Sequence, residues 1–455
     1  MFKTIISIAI CIPSVCTPAT RDPFARSVQV DSSFAYYQNR SKQSIASEIG
    51  LNGYRCIRLI VTDDTSPDAD LVNACHDAGT AVWYTSFGNG KYGTAGLPAG
   101  WEHWKMVLRA SQPDGVAGGY VYLCLNNPDY RAWKTRTVTE TLKSVPFDGF
   151  EMAEPFWPAY RGPESAAYGC LCGSCRSAFL DANPEESDIP DFRDQSSSRY
   201  YKTDRDLYRK WVDFRAESVL AFHREIIDAV RKARPEVRIA VWGIADDVPN
   251  PVESLREWEG IDGKALASAI KPDVYVIQTD WPEWTKPELP VDYPLKYRPF
   301  VTAVKSASPR TRIILQTDIG SHEDCRRGSA WIAECESAAA KAGMRGLTAY
   351  EYHLSADIYD RPPRLLAADV SAGLISLKFD KRLDSAGAAD PANYSPNAGR
   401  VIAAKADGSI VQLTIEGRPT KIIVRDLSDD PSRRLFKGYP VLAMSEPSTV
   451  FLEWK

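Results

Sequence analysis

The chain of 455 residues is 44% hydrophobic and 25% charged, the balance of an ordinary globular protein. Its net charge of -4 provides no basic face for nucleic acid or anionic lipid, and its length fits one domain of about 250–350 residues plus a small one.

In chain order, the first residues hold a single lysine, Lys3, then an apolar run from Ile5 to Val15, then small residues. That run is too short to cross a bilayer and reads as a secretory signal peptide over residues 1–19, so a secreted or periplasmic protein is expected. No later stretch reaches transmembrane length, so no membrane insertion is expected.

Over residues 20–363, strand-like apolar runs alternate with longer helical ones, the pattern of parallel βα units. Strands are predicted at Val28–Tyr36, Tyr54–Val61, Ala81–Phe87, Phe147–Glu154, Arg238–Ile244, Asp273–Thr279, Arg312–Thr317 and Gly346–Tyr352. Helical stretches fall between them, among them Ala69–Ala78, Ala132–Ser144, a long one from Thr203 to Ala233, and Ser329–Ala342. Eight such repeats predict an α/β fold, a (β/α)8 TIM barrel, with working groups at the C-terminal strand ends. Past Arg364 the pattern changes to short alternating strands with turns, from Leu374–Phe379 to Thr449–Trp454. Residues 364–455 are therefore expected to form a small all-β sandwich, and the run from Phe379 to Ser395 resembles Ig-like or fibronectin-like modules.

The strand ends collect acidic and aromatic residues and few lysines or arginines, which suits an uncharged, polyhydroxylated ligand better than a phosphate. Twelve tryptophans and 21 tyrosines supply ring faces for stacking on sugars beyond what packing requires. The strand ending Phe150-Glu151-Met152-Ala153-Glu154 is the most telling. It presents Glu154 beside Phe156 and Trp157 in a proline-broken loop, where apolar neighbours would raise the pKa of a carboxyl group and keep it a proton donor. A second carboxylate is needed for glycoside cleavage. The order of preference is Glu351, which sits among Tyr350, Tyr352 and His353, then Asp318, then Asp280. Trp157, Trp242, Trp281 and Trp284 are candidate sugar platforms, with Asp280, Tyr352 and His353 as further binding residues. Glu151 is expected to point to the opposite strand face and support.

Shortly after Trp157 comes Cys170-x-Cys172-x-x-Cys175, three thiols well spaced to wrap one tetrahedral metal ion. Disulfides are the alternative in an exported protein. The segment Cys124-Leu-Asn-Asn-Pro-Asp-Tyr-Arg131, the DGFEMAE strand and Cys170-Leu-Cys172-Gly-Ser-Cys175-Arg-Ser-Ala-Phe179 together resemble the zinc-bearing β-galactosidases of glycoside hydrolase family 42. The resemblance implies a four-thiolate structural zinc site of Cys124, Cys170, Cys172 and Cys175, and a general acid/base at Glu154. Two positions depart from that pattern. Ala153 precedes Glu154 where the family has Asn, and Gln316 and Asp318 end the seventh strand where it has a nucleophilic Glu. The expected function is a secreted glycoside hydrolase acting on an oligo- or polysaccharide. The alternative is a catalytically inactive barrel that binds carbohydrate.

Overall fold

The computed structural model describes residues 26–110, 116–117, 120–159, 161–371 and 373–454, so the expected signal peptide lies outside the described residues. Eight parallel strands close into a barrel: Arg26–Val30, Cys56–Val61, Ala81–Phe87, Gly149–Ala153, Arg238–Ala245, Val274–Thr279, Arg312–Asp318 and Leu347–Tyr350. Each pairs with its neighbours in sequence, and the eighth closes on the first with Arg26 opposite Leu347. Several strands are buried along their whole length, as parallel strands covered on both faces must be. None of the helices described is long and apolar enough to cross a membrane.

Alternation along each strand sorts side chains between two layers. Phe150 and Met152 of the fourth strand join the core beneath the helices, whereas Ala153 packs inside the barrel with Trp83, Trp242, Val276 and Ile314. The same alternation turns Glu151 inward, where it pairs with the fully buried Arg58 and accepts from Thr85 and from Trp242 Nε1 at 3.2 Å. Glu151 is thus a support, but one inside the barrel. The outer helices lie within a few residues of their predicted bounds, and Ser41, Asp68, Asn127, Asp204 and Asp262 cap five of them through side-chain acceptors. Two further helices, Gly173–Ala182 and Pro251–Glu259, were not expected from the sequence. The first strand is also shorter than predicted. It stops at Val30, and Ala35–Tyr37 form a single 3-10 turn.

The C-terminal region forms a four-stranded antiparallel sheet (Leu365–Ser371, Leu374–Phe379, Ile410–Glu416, Arg400–Asp407) and a three-stranded one (Tyr394–Pro396, Lys421–Val424, Ser448–Phe451). Both contribute to one core that includes Leu377, Phe379, Leu413, Ile422 and Val424, separate from the barrel's. This region is fastened to the barrel by buried and partly buried polar links. Arg382 donates to the carbonyls of Tyr36 at 2.9 Å and Gln38 at 2.7 Å, Asn52 Nδ2 donates to Asp380 O at 2.8 Å, and Ser44 Oγ to Asp407 O at 2.6 Å.

Candidate active site

At the C-terminal mouth of the barrel, Glu154 follows the fourth strand directly with a left-handed backbone, φ 54°. Two glycines make room for it. A Cβ on Gly88 would come within 2.4 Å of Pro155 Cβ, and one on Gly90 within 1.7 Å of the Tyr120 hydroxyl oxygen, so each position must be bare. Gly90 belongs to a short antiparallel sheet, inserted after the third strand, in which Gly90–Tyr92 pairs with Tyr120–Tyr122. That sheet carries Tyr92, Tyr120 and Tyr122 over the mouth.

Glu154 accepts from Gln278 Nε2 at 2.7 Å and from Tyr120 Oη at 3.2 Å. Burial pushes its carboxyl pKa above the usual value, and these two hydrogen bonds only partly offset the effect. Two cavities flank it. The larger, about 500 Å³, is walled by Tyr120, Tyr122, Phe156, Glu259, Asp280 and Trp281, among others. The smaller, about 350 Å³, lies nearer the barrel axis and is lined by Gln29, Trp242, Gln316, His322 and Tyr350. Both volumes suit small-molecule sites. Tyr92, Glu154, Gln278 and Trp284 belong to both walls, so Glu154 stands where the two cavities meet.

The structure places the other residues expected at the site as follows. Asp280, Trp242, Trp281 and Trp284 line the cavities. Glu351 does not, because both of its oxygens are taken: one accepts from Asp31 N at 3.0 Å and Tyr37 Oη at 2.7 Å, the other from the backbone and ring of His353. It is wholly buried. His353 is held there between the rings of Phe34, Tyr36 and Tyr37. Asp318 closes a turn instead of facing a ligand, accepting from the amides of Gly320 and Ser321, each at 2.9 Å, and from the Ser321 hydroxyl. Trp157 is fully buried with its Nε1 donating to Arg215 O at 2.9 Å, and Tyr352 receives Asn52 Nδ2 at 2.9 Å near the C-terminal region. These two offer no face to the cavities.

Several lining residues were not singled out from the sequence. Gln278 was legible as a polar position near a strand end, whereas no strand was predicted where the inserted sheet forms, and nothing local showed that its tyrosines converge on Gln278. Glu259, at the end of the helix Pro251–Glu259, gave no signal beyond the Gly260 that terminates that helix. Burial and the Asp280 charge push its carboxyl well above the usual range, with Asp246 and Glu154 adding to the shift and Arg215 opposing it. Asp280 is pushed up to about 7, chiefly by burial, while its hydrogen bond from Trp281 N acts in the other direction.

Behind this site the thiols of Cys124, Cys170, Cys172 and Cys175 all lie within 4.8 Å of one another. Cys124 Sγ is 3.4 Å from Cys175 Sγ and 3.5 Å from Cys172 Sγ. No pair among them is bridged. Four sulfurs at such separations can surround one tetrahedral ion with Zn–S bonds of about 2.3 Å. Asn126 Nδ2 donates to Cys175 Sγ at 3.5 Å, a contact that would steady a thiolate. The cluster joins the segment after Tyr122 to the segment after Ala159, and both flank the larger cavity. Cys56, Cys75, Cys325 and Cys335 are buried free thiols.

No protein-family model matches the chain, and no curated protein matches it. Among solved structures, the fold is similar to that of a GH42 beta-galactosidase from G. stearothermophilus, with a TM-score of 0.52 and 14% identity over 72% of this chain and 51% of that one. It is also similar to the beta-galactosidase of the psychrophilic Marinomonas ef1 (TM-score 0.50, 11% identity, 72% and 54% covered). The polyextremophilic beta-galactosidase of Halorubrum lacusprofundi gives a TM-score of 0.50 at 12% identity, with 72% and 52% covered. The likeness is one of fold. The chain spans about half the length of each of these proteins.

Proposed function

We propose that this chain is a glycoside hydrolase in which Glu154 is the proton donor. One observation carries the reading: a half-buried carboxyl group at the C-terminal end of the fourth strand, its pKa raised, stands where two aromatic-lined cavities meet. A bound glycan would place sugar units on either side, so that the glycosidic oxygen reaches Glu154. Glu154 then gives its proton to the departing oxygen. Asp280 is the second carboxylate of this reading. It lines the larger cavity with Glu154 and is the less buried of the two remaining carboxyl groups there, the other being Glu259. Ionised Asp280 stabilises the oxocarbenium ion and accepts the proton of the attacking water.

The direct test is a panel of aryl glycosides and natural glycans, with release of reducing ends as the readout. A second reading, binding without cleavage, is favoured by one observation: the axial cavity offers Gln29, Gln278 and Gln316, and Glu154 is its sole carboxylate among the described residues. Saturable binding with no turnover of any member of the panel would select it.

Asp280 gives a prediction in pH. As the base it must be ionised, so Asp280→Asn should remove the part of the kcat/KM profile that titrates near pH 7 along with most of the activity. Stability runs the other way. A carboxyl whose folded pKa is raised favours the fold while protonated and opposes it once ionised, so the wild type should lose stability as pH rises from about 4 through 7. Asp280→Asn should be spared that loss, up to about 4 kcal/mol, which melting curves at pH 5 and pH 8 would reveal.

The four clustered thiols are inferred to hold a structural zinc ion, with all four coordination positions filled by protein and none left for water. Elemental analysis should find about one zinc per chain, and Cys172→Ser should lose the metal and lower the melting temperature. A metal-free protein of unchanged stability would rule this out. Export belongs to the same proposal, and mass spectrometry of the mature N-terminus tests it.

A further inference from the structure

Two residues that line the larger cavity each carry a hydrogen-bond acceptor without a partner among the described residues. Glu259 is only 6% exposed and Gln278 only 2%, both line this cavity, and among the described residues neither Glu259 Oε2 nor Gln278 Oε1 has a hydrogen-bond partner. Buried acceptors left alone cost about 1–3 kcal/mol each, so a ligand that donates to them is favoured. Three carboxyl groups, those of Glu154, Glu259 and Asp280, share the cavity, and no lysine, arginine or histidine is among its described lining residues. The nearest cations are engaged elsewhere. Arg161 is largely exposed and lies 3.5 Å from Asp246, and Arg215 directs its guanidinium to Tyr168 Oη and the carbonyls of Glu257 and Gly169, each at 3.0 Å. Six aromatic residues line the same wall, Tyr92, Tyr120, Tyr122, Phe156, Trp281 and Trp284.

Ring faces together with unpaired carboxyl oxygens recognise a cation that also donates hydrogen bonds. We propose that this cavity is a subsite for a hexosamine unit with a free amino group, its ammonium held by Glu259 and Asp280 while the sugar ring stacks on the tryptophan and tyrosine faces. A neutral sugar could fill the same space and donate through hydroxyls, but it would leave the carboxyl groups unable to ionise together. An ammonium lets them do so. Burial and then the Asp280 charge raise the Glu259 carboxyl, with Asp246 and Glu154 adding and Arg215 opposing, and a bound cation would act against that shift.

The inference rests on the glycosidase reading only for the position of the cavity beside Glu154, and binding tests it without cleavage. In the full-length Glu154→Gln protein, calorimetry would compare glucosamine and galactosamine oligosaccharides with their N-acetylated and neutral counterparts. The free-amine forms should bind at least about tenfold more tightly. Glu259→Gln should erase that preference, and Trp281→Ala, a change on the half-exposed rim, should weaken amine binding several-fold even if the buried Glu259 variant does not fold. Equal or tighter binding of the neutral or N-acetylated sugars would overturn the proposal. So would equally tight binding of a lysine tripeptide, because the sugar ring would then be irrelevant. Tight amine-selective binding with no turnover by the wild type would uphold the subsite and refute the hydrolase. Turnover of neutral glycans without amine selectivity would do the reverse.

Discussion

Glu154→Gln is expected to slow hydrolysis of natural glycans by roughly 10²–10⁴-fold while leaving binding intact. The substitution keeps the shape and reach of the side chain, so the neighbours Tyr120 and Gln278 retain a polar partner. It removes the one proton that the leaving oxygen needs. Activated aryl glycosides depart with little protonation and should be slowed much less, so the ratio of the two losses identifies the residue as the acid. Burial adds a pH signature. Because Glu154 keeps its proton above the usual carboxyl range, the wild-type rate should decline only when pH passes that raised value. Full activity of the variant on a natural glycan would place the proton donor elsewhere.

A chain stopped after Arg364 is expected to fold poorly or to be insoluble. The C-terminal region supplies hydrogen-bond partners to several barrel groups. Without it, the Tyr36 and Gln38 carbonyls lose Arg382, Arg40 Nη2 loses Ser409 Oγ, and the carbonyls of Asp357 and Ile358 lose Lys381 Nζ. Arg40 and Glu48, an ion pair at 2.7 Å with both side chains buried, would be opened toward water. Each hydrogen bond exchanged for water costs about 0.5–1.5 kcal/mol, and several together are a sizeable part of the 5–15 kcal/mol that holds a typical domain. Phe436 and Tyr439 also pack on the barrel core, and Leu435 lines the axial cavity, so the site would lose part of its rim as well. Expression and melting of the truncated and full chains would decide. A soluble fragment that melts at the full chain's temperature would show that the two regions are independent.

The eight strands were legible because a strand buried on both faces must be apolar along its length, and such runs interrupted by helical stretches occur in few folds. Caps and turn glycines are local features too, which is why the helix bounds came out within a few residues. Glu154 could be found for the same reason: its place at a strand end beside aromatic residues is written in consecutive positions. So was most of the thiol cluster, where three cysteines fall within six residues.

What the sequence alone left undecided were the properties set by partners far away along the chain. Glu351 ends a strand among aromatics as Glu154 does, yet Tyr37 and Asp31, more than 300 positions earlier, take up its first oxygen. Asp318 and Asp280 both end strands, and only the tertiary structure folds Ser321 back onto one and leaves the other facing a cavity. Trp157 looked like a platform and became core because the long helix supplies Arg215 to its indole. Glu259 entered the site from a helix that had not been expected. A carboxylate's local sequence determines where it sits on its strand or helix, but whether it is free to act depends on which donors the closed barrel brings within about 3 Å of it.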